Sequence, residues 1–393
     1  MFAINMKQLI TIGATLIALI VGVVAVEVLR PGTFSSIVGY SITSEEEALQ
    51  LDSALNFASS GDFDSALKAA EELLNSAVSE GIAFEARSII DSSKFATGEQ
   101  EARVEAVRLT KEHYLLRVDD PLDQALQVNK LLGYMTAGRE KYVFNEVFAG
   151  EPFNTFLVPG DRDASIKNLA EHSLSLHPTI EATVRIGEWY ARKIERLPPP
   201  PSLTPGQSPR QPGLGIQYAD KILETLRQSD QLLEQQKKEL EGRPFDYMVE
   251  PRYYFWRVYL YSTVALIRPR YLADAEFSLE RLVTLYEETK NPRGEKYATI
   301  AMRLPNAYYL YAWSLFRVRG EREIDSVRSS LDSLIALVDQ DPKIHEGQFL
   351  SLIRNAADLT PEQRAKSYRG FVVLANNHPP FKAFLEKYDW KFE

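Results

Sequence analysis

Cysteine is absent from this 393-residue chain. That removes disulfide frameworks, thiolate metal sites, cysteine nucleophiles and a lipid-modified cysteine together, and it leaves the redox compartment unconstrained. Histidine is scarce, with His113, His172, His177, His345 and His378 as the five. Only His172 and His177 are close, and a spacing of five sets them about 140° apart around a helix, which is not the i, i+4 arrangement of a zinc pair. Positive charge is also in deficit: 45 Lys and Arg stand against 54 Asp and Glu, a net charge of −9. A surface that neutralises phosphates needs a basic patch, so nucleic acid is not an expected partner.

Catalytic signatures are missing too. There is no G-x-S-x-G elbow, no phosphate-binding G-x-x-x-x-G-K-[ST] loop and no H-E-x-x-H. Gly213-Leu-Gly215 sits in a proline-rich stretch rather than behind a strand. Asp161-Arg-Asp163 lacks the rest of a calcium loop and reads as helix capping, with Asp163 as the cap of a run through Leu176. A carboxylate pair of the glycosidase kind has spatial rather than sequential spacing, and nothing in the sequence points to one. The expectation is a protein that is not an enzyme, with no catalytic residue, no cofactor and no metal.

What is present begins at the N-terminus. Leu9 to Val26 is an uncharged run of 18 residues, with Lys7 before it and Glu27, Arg30 and Pro31 after it. As a helix it covers about 27 Å, close to a hydrocarbon core of roughly 30 Å. Residues 1–30 are therefore expected to be a single transmembrane anchor, with membrane contact over 9–29. Lys7 on the near side and the acidic residues Glu45, Glu46, Glu47 and Asp52 beyond put the body outside the cytoplasm, in a single-pass plasma-membrane topology. The alternative is a signal cleaved after Ala25, with secretion. Ala14, Ala18 and Gly22 lie four apart on one face, a small-xxx-small pattern that lets two such helices approach as a homodimer.

The body reads as helices. Pro121, Pro178, Pro251, Pro305 and Pro361 each precede a helical pattern, at the position where a missing N–H costs least. Thr360-Pro-Glu-Gln363 is a capping box, and Thr43-Ser-Glu-Glu46 reads likewise. No run of alternating strands with hairpin turns appears. Residues 198–215 hold seven prolines and three glycines, cannot be a helix interior, and are expected to form a loop or linker between helical regions 40–197 and 216–393.

In residues 47–80, small Ala54 and aromatic Phe57 are followed by Gly61 at a turn and by Phe63 and Ala66 opening a second helix. These residues resemble a tetratricopeptide repeat. The resemblance implies an all-α superhelix of stacked hairpins, in which small residues allow close packing and the aromatic fills the space beside them. Ala125, Ala275 and the turn at Gly320 are weaker echoes; there Arg322 and Asp325 replace the aromatic and the alanine, and Trp313 takes the small-residue slot. No strict 34-residue period holds.

Two aromatic runs, 251–266 and 305–316, look apolar almost all round. Core packing accounts for them, and Tyr254, Tyr261, Tyr309 and Tyr311 are the candidates for rings that project into a groove and stack on a ligand. The expected function is a membrane-anchored, extracytoplasmic scaffold of an envelope assembly that binds other proteins. The alternative is a glycan-binding or wall-acting protein that uses the aromatic helices.

Overall fold

The computed structural model describes residues 45–60, 62–77, 80–96, 98–137, 141–197, 212–241, 248–290, 295–340, 348–357 and 359–392. The expected membrane span with Ala14, Ala18 and Gly22, the box at Thr43, and Gly61 and His345 lie outside these residues. Among the described residues no helix is long and apolar enough to cross a membrane, and none belongs to a strand. The architecture is an all-α array of neighbouring helices, like a helical repeat protein.

The chain forms two compact units, one ending at His113 and the other starting at Tyr114. The first contains α1 (Glu45–Ser60), α2 (Phe63–Ser76), α3 (Glu80–Ala96) and most of α4 (Gln100–Leu116). Here α2 packs against both α1 and α3, and α1 also touches α3. Ala54 on α1 and Ala66 and Ala70 on α2 are fully buried, which is how small side chains let two helices close on each other. Phe63 is half-buried. Phe57, the aromatic expected to fill the neighbouring space, is instead 38% exposed. Asp62 starts α2 by accepting from the Ser65 N–H at 3.2 Å.

The second unit runs through α5 (Pro121–Ala137), α6 (Lys141–Val147), α7 (Arg162–Leu176), α8 (Ile180–Glu195), α9 (Pro212–Glu239), α10 (Val249–Ala265), α11 (Leu272–Thr289), α12 (Glu295–Arg319) and α13 (Ile324–Gln340). It ends with α14 (Gln348–Ala357), α15 (Pro361–Ser367), α16 (Arg369–Asn377) and α17 (Pro379–Lys387). The three-helix pattern of the first unit returns twice here. Helix α9 packs on α8 and α10, which touch each other; α11 packs on α10 and α12, which also touch. Such nearest-neighbour stacking is the logic of a repeat array, because no hairpin buries both apolar faces alone. Ala275, singled out as an echo of Ala66, is fully buried on α11, as is Ala125 on α5.

One close approach within the array is at Gly187 on α8. A Cβ there would fall 2.7 Å from Thr225 Oγ1 of α9 and 2.9 Å from Leu260 Cδ1 of α10. A glycine is thus what lets one helix sit against both of its neighbours.

Three sequence readings are corrected. Pro305 does not open a helix: it lies inside α12, where an interior proline normally costs about 3 kcal/mol. Burial of Ile300, Ala301, Leu304 and Ala307 around it holds the helix continuous. The proline-rich stretch is not non-helical to its end, since Pro212 through Gly215 form the first turn of α9. One apolar cluster runs from Ile180 to Trp390, and the compact units divide between His113 and Tyr114. Asp163 is not the cap of α7. Asp161 is, accepting from the Ala164 N–H at 2.9 Å, and Asp163 is buried in the first turn.

Candidate functional site

Helix α8 carries Glu181, Arg185, Glu188, Arg192 and Glu195 at spacings of four, three, four and three, so all five share one face. The alternation of charge lets each arginine bridge its neighbours. Arg185 Nη2 donates to Glu181 Oε1 at 2.6 Å and Nη1 to Glu188 Oε2 at 2.9 Å. Arg192 Nη2 donates to Glu188 Oε1 at 2.6 Å and Nη1 to Asp163 Oδ1 at 2.7 Å. Arg196 closes the chain on the other oxygen of Asp163.

Helix α10 lays Arg252, Trp256 and Tyr259 beside this face, again at spacings of four and three. The Arg185 guanidinium sits over the Trp256 ring at 4.6 Å, and the Tyr259 hydroxyl donates to Glu195 Oε1 at 3.2 Å. Low-numbered residues therefore meet low-numbered ones, and α8 and α10 run parallel. On α12, Arg303, Asn306, Leu310, Trp313 and Arg317 share a half-buried face. Arg303 lies close enough to lower the pKa of Glu181, and Arg317 to act on Glu195, so α12 continues the same register. The three faces form one strip of five arginines (185, 192, 252, 303, 317), three glutamates (181, 188, 195) and the rings of Trp256, Tyr259 and Trp313. Two net positive charges thus concentrate on a chain whose net charge is −9.

The charges and burial of the strip shift the titration of its groups. Burial by itself would raise the Asp163 and Glu181 carboxyls, but the facing arginines outweigh it and hold both below the usual range. Glu195 differs: burial raises its pKa despite the Tyr259 hydrogen bond and the nearby Arg192 and Arg317. Yet Glu195 is exposed. The carboxylate is thus open to water on one side, yet its packed surroundings still disfavour its charge. Burial lowers Arg317 as well, with help from the charge of Arg369.

The raised pKa of Glu195 has a consequence for stability. The folded state holds the Glu195 proton more tightly than the unfolded chain, whose carboxyl titrates at about 4.3. Stability is thus lost as pH rises from there through the folded pKa, and the loss persists above it. Glu195→Gln removes this contribution. Thermal melts of the two proteins from pH 3.5 to 8 are expected to show the variant improving relative to the wild type as pH rises, with a constant difference thereafter. A relative decline of the variant over that range would overturn the reading.

The tyrosines singled out in the sequence are placed as follows. Tyr261 and Tyr311 are buried, at 8% and 7% exposure, and the Tyr261 ring stacks on Tyr271 at 5.9 Å. Tyr254 is half-buried with Arg281 over its ring at 5.7 Å. Tyr309 is half-buried at the edge of the strip, its ring stacked 4.1 Å from Phe371. The helices expected from the aromatic runs are those that build the strip. Its charged residues on α8 were missed, although their 4-3-4-3 spacing is written in the sequence.

His172 meets the Tyr114 hydroxyl at 3.0 Å and stacks on Phe156, and His177 meets Glu239 at 3.0 Å, so the two serve different contacts. Among the described residues no three histidines or carboxylates gather as around a metal ion. In the first unit an open cleft of about 1130 Å³ is lined by Asp62, Asp64, Lys94, Glu99, Glu101 and Arg108. Its charges are mixed and its walls are helix ends. No protein-family model, curated protein or solved structure matches the chain.

Proposed function

We propose that the protein is a binding scaffold of the helical-repeat kind, which holds a partner polypeptide along the strip of α8, α10 and α12. The observation that carries this reading is the strip itself: an aligned, half-buried face of arginines and aromatic rings on three helices, α8, α10 and α12, of which each touches the next. Extended polypeptides suit such a face, because arginine donors engage backbone and side-chain oxygens while the rings cover aliphatic groups. Sugar stacking is less well supported, since Trp256 and Tyr309 already have ring faces against Arg185 and Phe371. The uncharged run at Leu9–Val26 supports an extracytoplasmic scaffold tethered to the plasma membrane through residues 1–30, in an envelope assembly, and the small-xxx-small face supports pairing of two anchors.

A photo-crosslinking amino acid at Asn306 or Leu310 on the strip, and at Glu321 away from it, tests this in native membranes. Discrete polypeptide adducts are expected from the strip positions and not from Glu321. Equal or absent adducts at all three would sink the scaffold reading.

A further inference from the structure

At the end of the strip the donors outnumber the acceptors. Arg317 lies over Trp313, its guanidinium carbon 5.5 Å from the ring centroid, and among the described residues it has no hydrogen bond or ion pair. The backbone of Gly370, at the start of α16, abuts the same ring. A Cβ at Gly370 would fall 3.1 Å from Trp313 and 2.3 Å from the Tyr309 hydroxyl, so only glycine allows this approach. The residue before it is Arg369, whose charge reaches Arg317. Arg369 is exposed, and among the described residues neither it nor the Tyr309 hydroxyl has a hydrogen-bond or ion-pair partner. Arg317 and the Tyr309 hydroxyl thus lie about Trp313, Arg369 adjoins them through Gly370, and the nearby carboxylate, Glu195, is held by Tyr259.

Burial and the like charge of Arg369 both weigh against the charge of Arg317. That arrangement is costly unless an anion joins them.

We propose that Arg317, Arg369 and the Tyr309 hydroxyl form a seat for an oxyanion, a carboxylate or phosphate group carried by an acidic polypeptide. This rests on the scaffold reading and gives it a chemical preference, which the positive strip on an acidic chain reinforces. Planar guanidinium groups match such anions with paired N–H donors. Of the other groups that face the seat, Glu195 disfavours an anion and Arg192 favours one.

The test measures binding of a hexaglutamate peptide, and of a hexapeptide of alternating phosphoserine and glycine, to the purified full chain by titration calorimetry at low salt. Arg317→Gln and Arg369→Gln are each expected to weaken binding roughly tenfold, the scale of a lost charge-assisted hydrogen bond. Arg319→Gln, on the same helix but away from the seat, is expected to leave it unchanged, and far-ultraviolet dichroism checks that each variant folds. Whichever peptide binds tighter identifies the oxyanion. Equal weakening by Arg319→Gln, or none by Arg317→Gln, would overturn the seat. If Arg317→Gln leaves both peptide binding and the Asn306 crosslink intact, the seat fails and the scaffold stands; loss of the Asn306 crosslink in the wild type sinks the scaffold itself.

Discussion

Arg185→Met is expected to destabilise the second unit by about 3–5 kcal/mol, the cost typical of removing one partner from a buried ion pair. Arg185 is 7% exposed and holds two carboxylates, Glu181 and Glu188, whose side chains are each 12% exposed. Without the guanidinium, both carboxylates stay partly desolvated and face each other along α8, and Trp256 loses the cation over its ring. Methionine keeps most of the volume, so the loss is electrostatic rather than a cavity. Urea denaturation of the full chain, followed by tryptophan fluorescence, measures it. The double variant Arg185→Met, Glu181→Gln is expected to recover most of the loss, because Glu188 keeps its bond from Arg192 while the carboxylate left without its hydrogen-bonded partner is neutralised. A loss under about 1 kcal/mol would place the pair with ordinary surface salt bridges.

The same network sets an acid limit. Glu181 and Asp163 titrate below their unfolded values in the fold. Their stabilisation is complete above the unfolded carboxyl range of about 3.9 to 4.3 and disappears as pH falls through the folded pKa values. Arg185→Met should blunt the Glu181 part of that acid sensitivity.

How much of this was legible in the sequence depended on how local each cause is. The box at Thr360 was readable because both its bonds join residues three apart: the Gln363 N–H to Thr360 Oγ1 at 3.2 Å, and the Thr360 N–H to Gln363 Oε1 at 3.0 Å. The all-helical class was readable from proline placement and periodicity for the same reason. Pro305 misled because its local cost is offset by burial from distant residues, and Asp163 because its partners, Arg192 and Arg196, lie a helix away. The site stands between these cases. The spacing of Glu181 through Glu195 is a local pattern, but a charged stripe usually marks a solvated face. Only the stacking of α10 and α12 beside it makes it a floor. Arg369 was not legible at all, because its place depends on Gly370 meeting Trp313 across 57 positions of sequence.

Trp390→Ala is the other change expected to cost about 3–5 kcal/mol, the range for emptying a large aromatic site. The placement of this ring begins with the backbone. Helix α17 ends with the Trp390 N–H bonded to the Leu385 carbonyl at 3.0 Å and the Asp389 N–H to Glu386 at 3.1 Å. Asp389 takes the left-handed φ of 65° that such an ending needs. The turn drives Trp390 inward to 2% exposure, edge-on to Tyr368 at 5.5 Å and against Phe371 at 5.3 Å. Its indole N–H has no acceptor among the described residues, so Trp390→Phe, which deletes that donor and keeps a ring, is expected to lose clearly less than alanine. Phe371 in turn stacks on Tyr309, and Arg369 is two residues before it. Removing the Trp390 ring should therefore free α16 from α12 and weaken hexaglutamate binding along with stability, whereas Trp390→Phe should keep most of both. Full binding by a folded Trp390→Ala protein would show that Arg369 is positioned without its help.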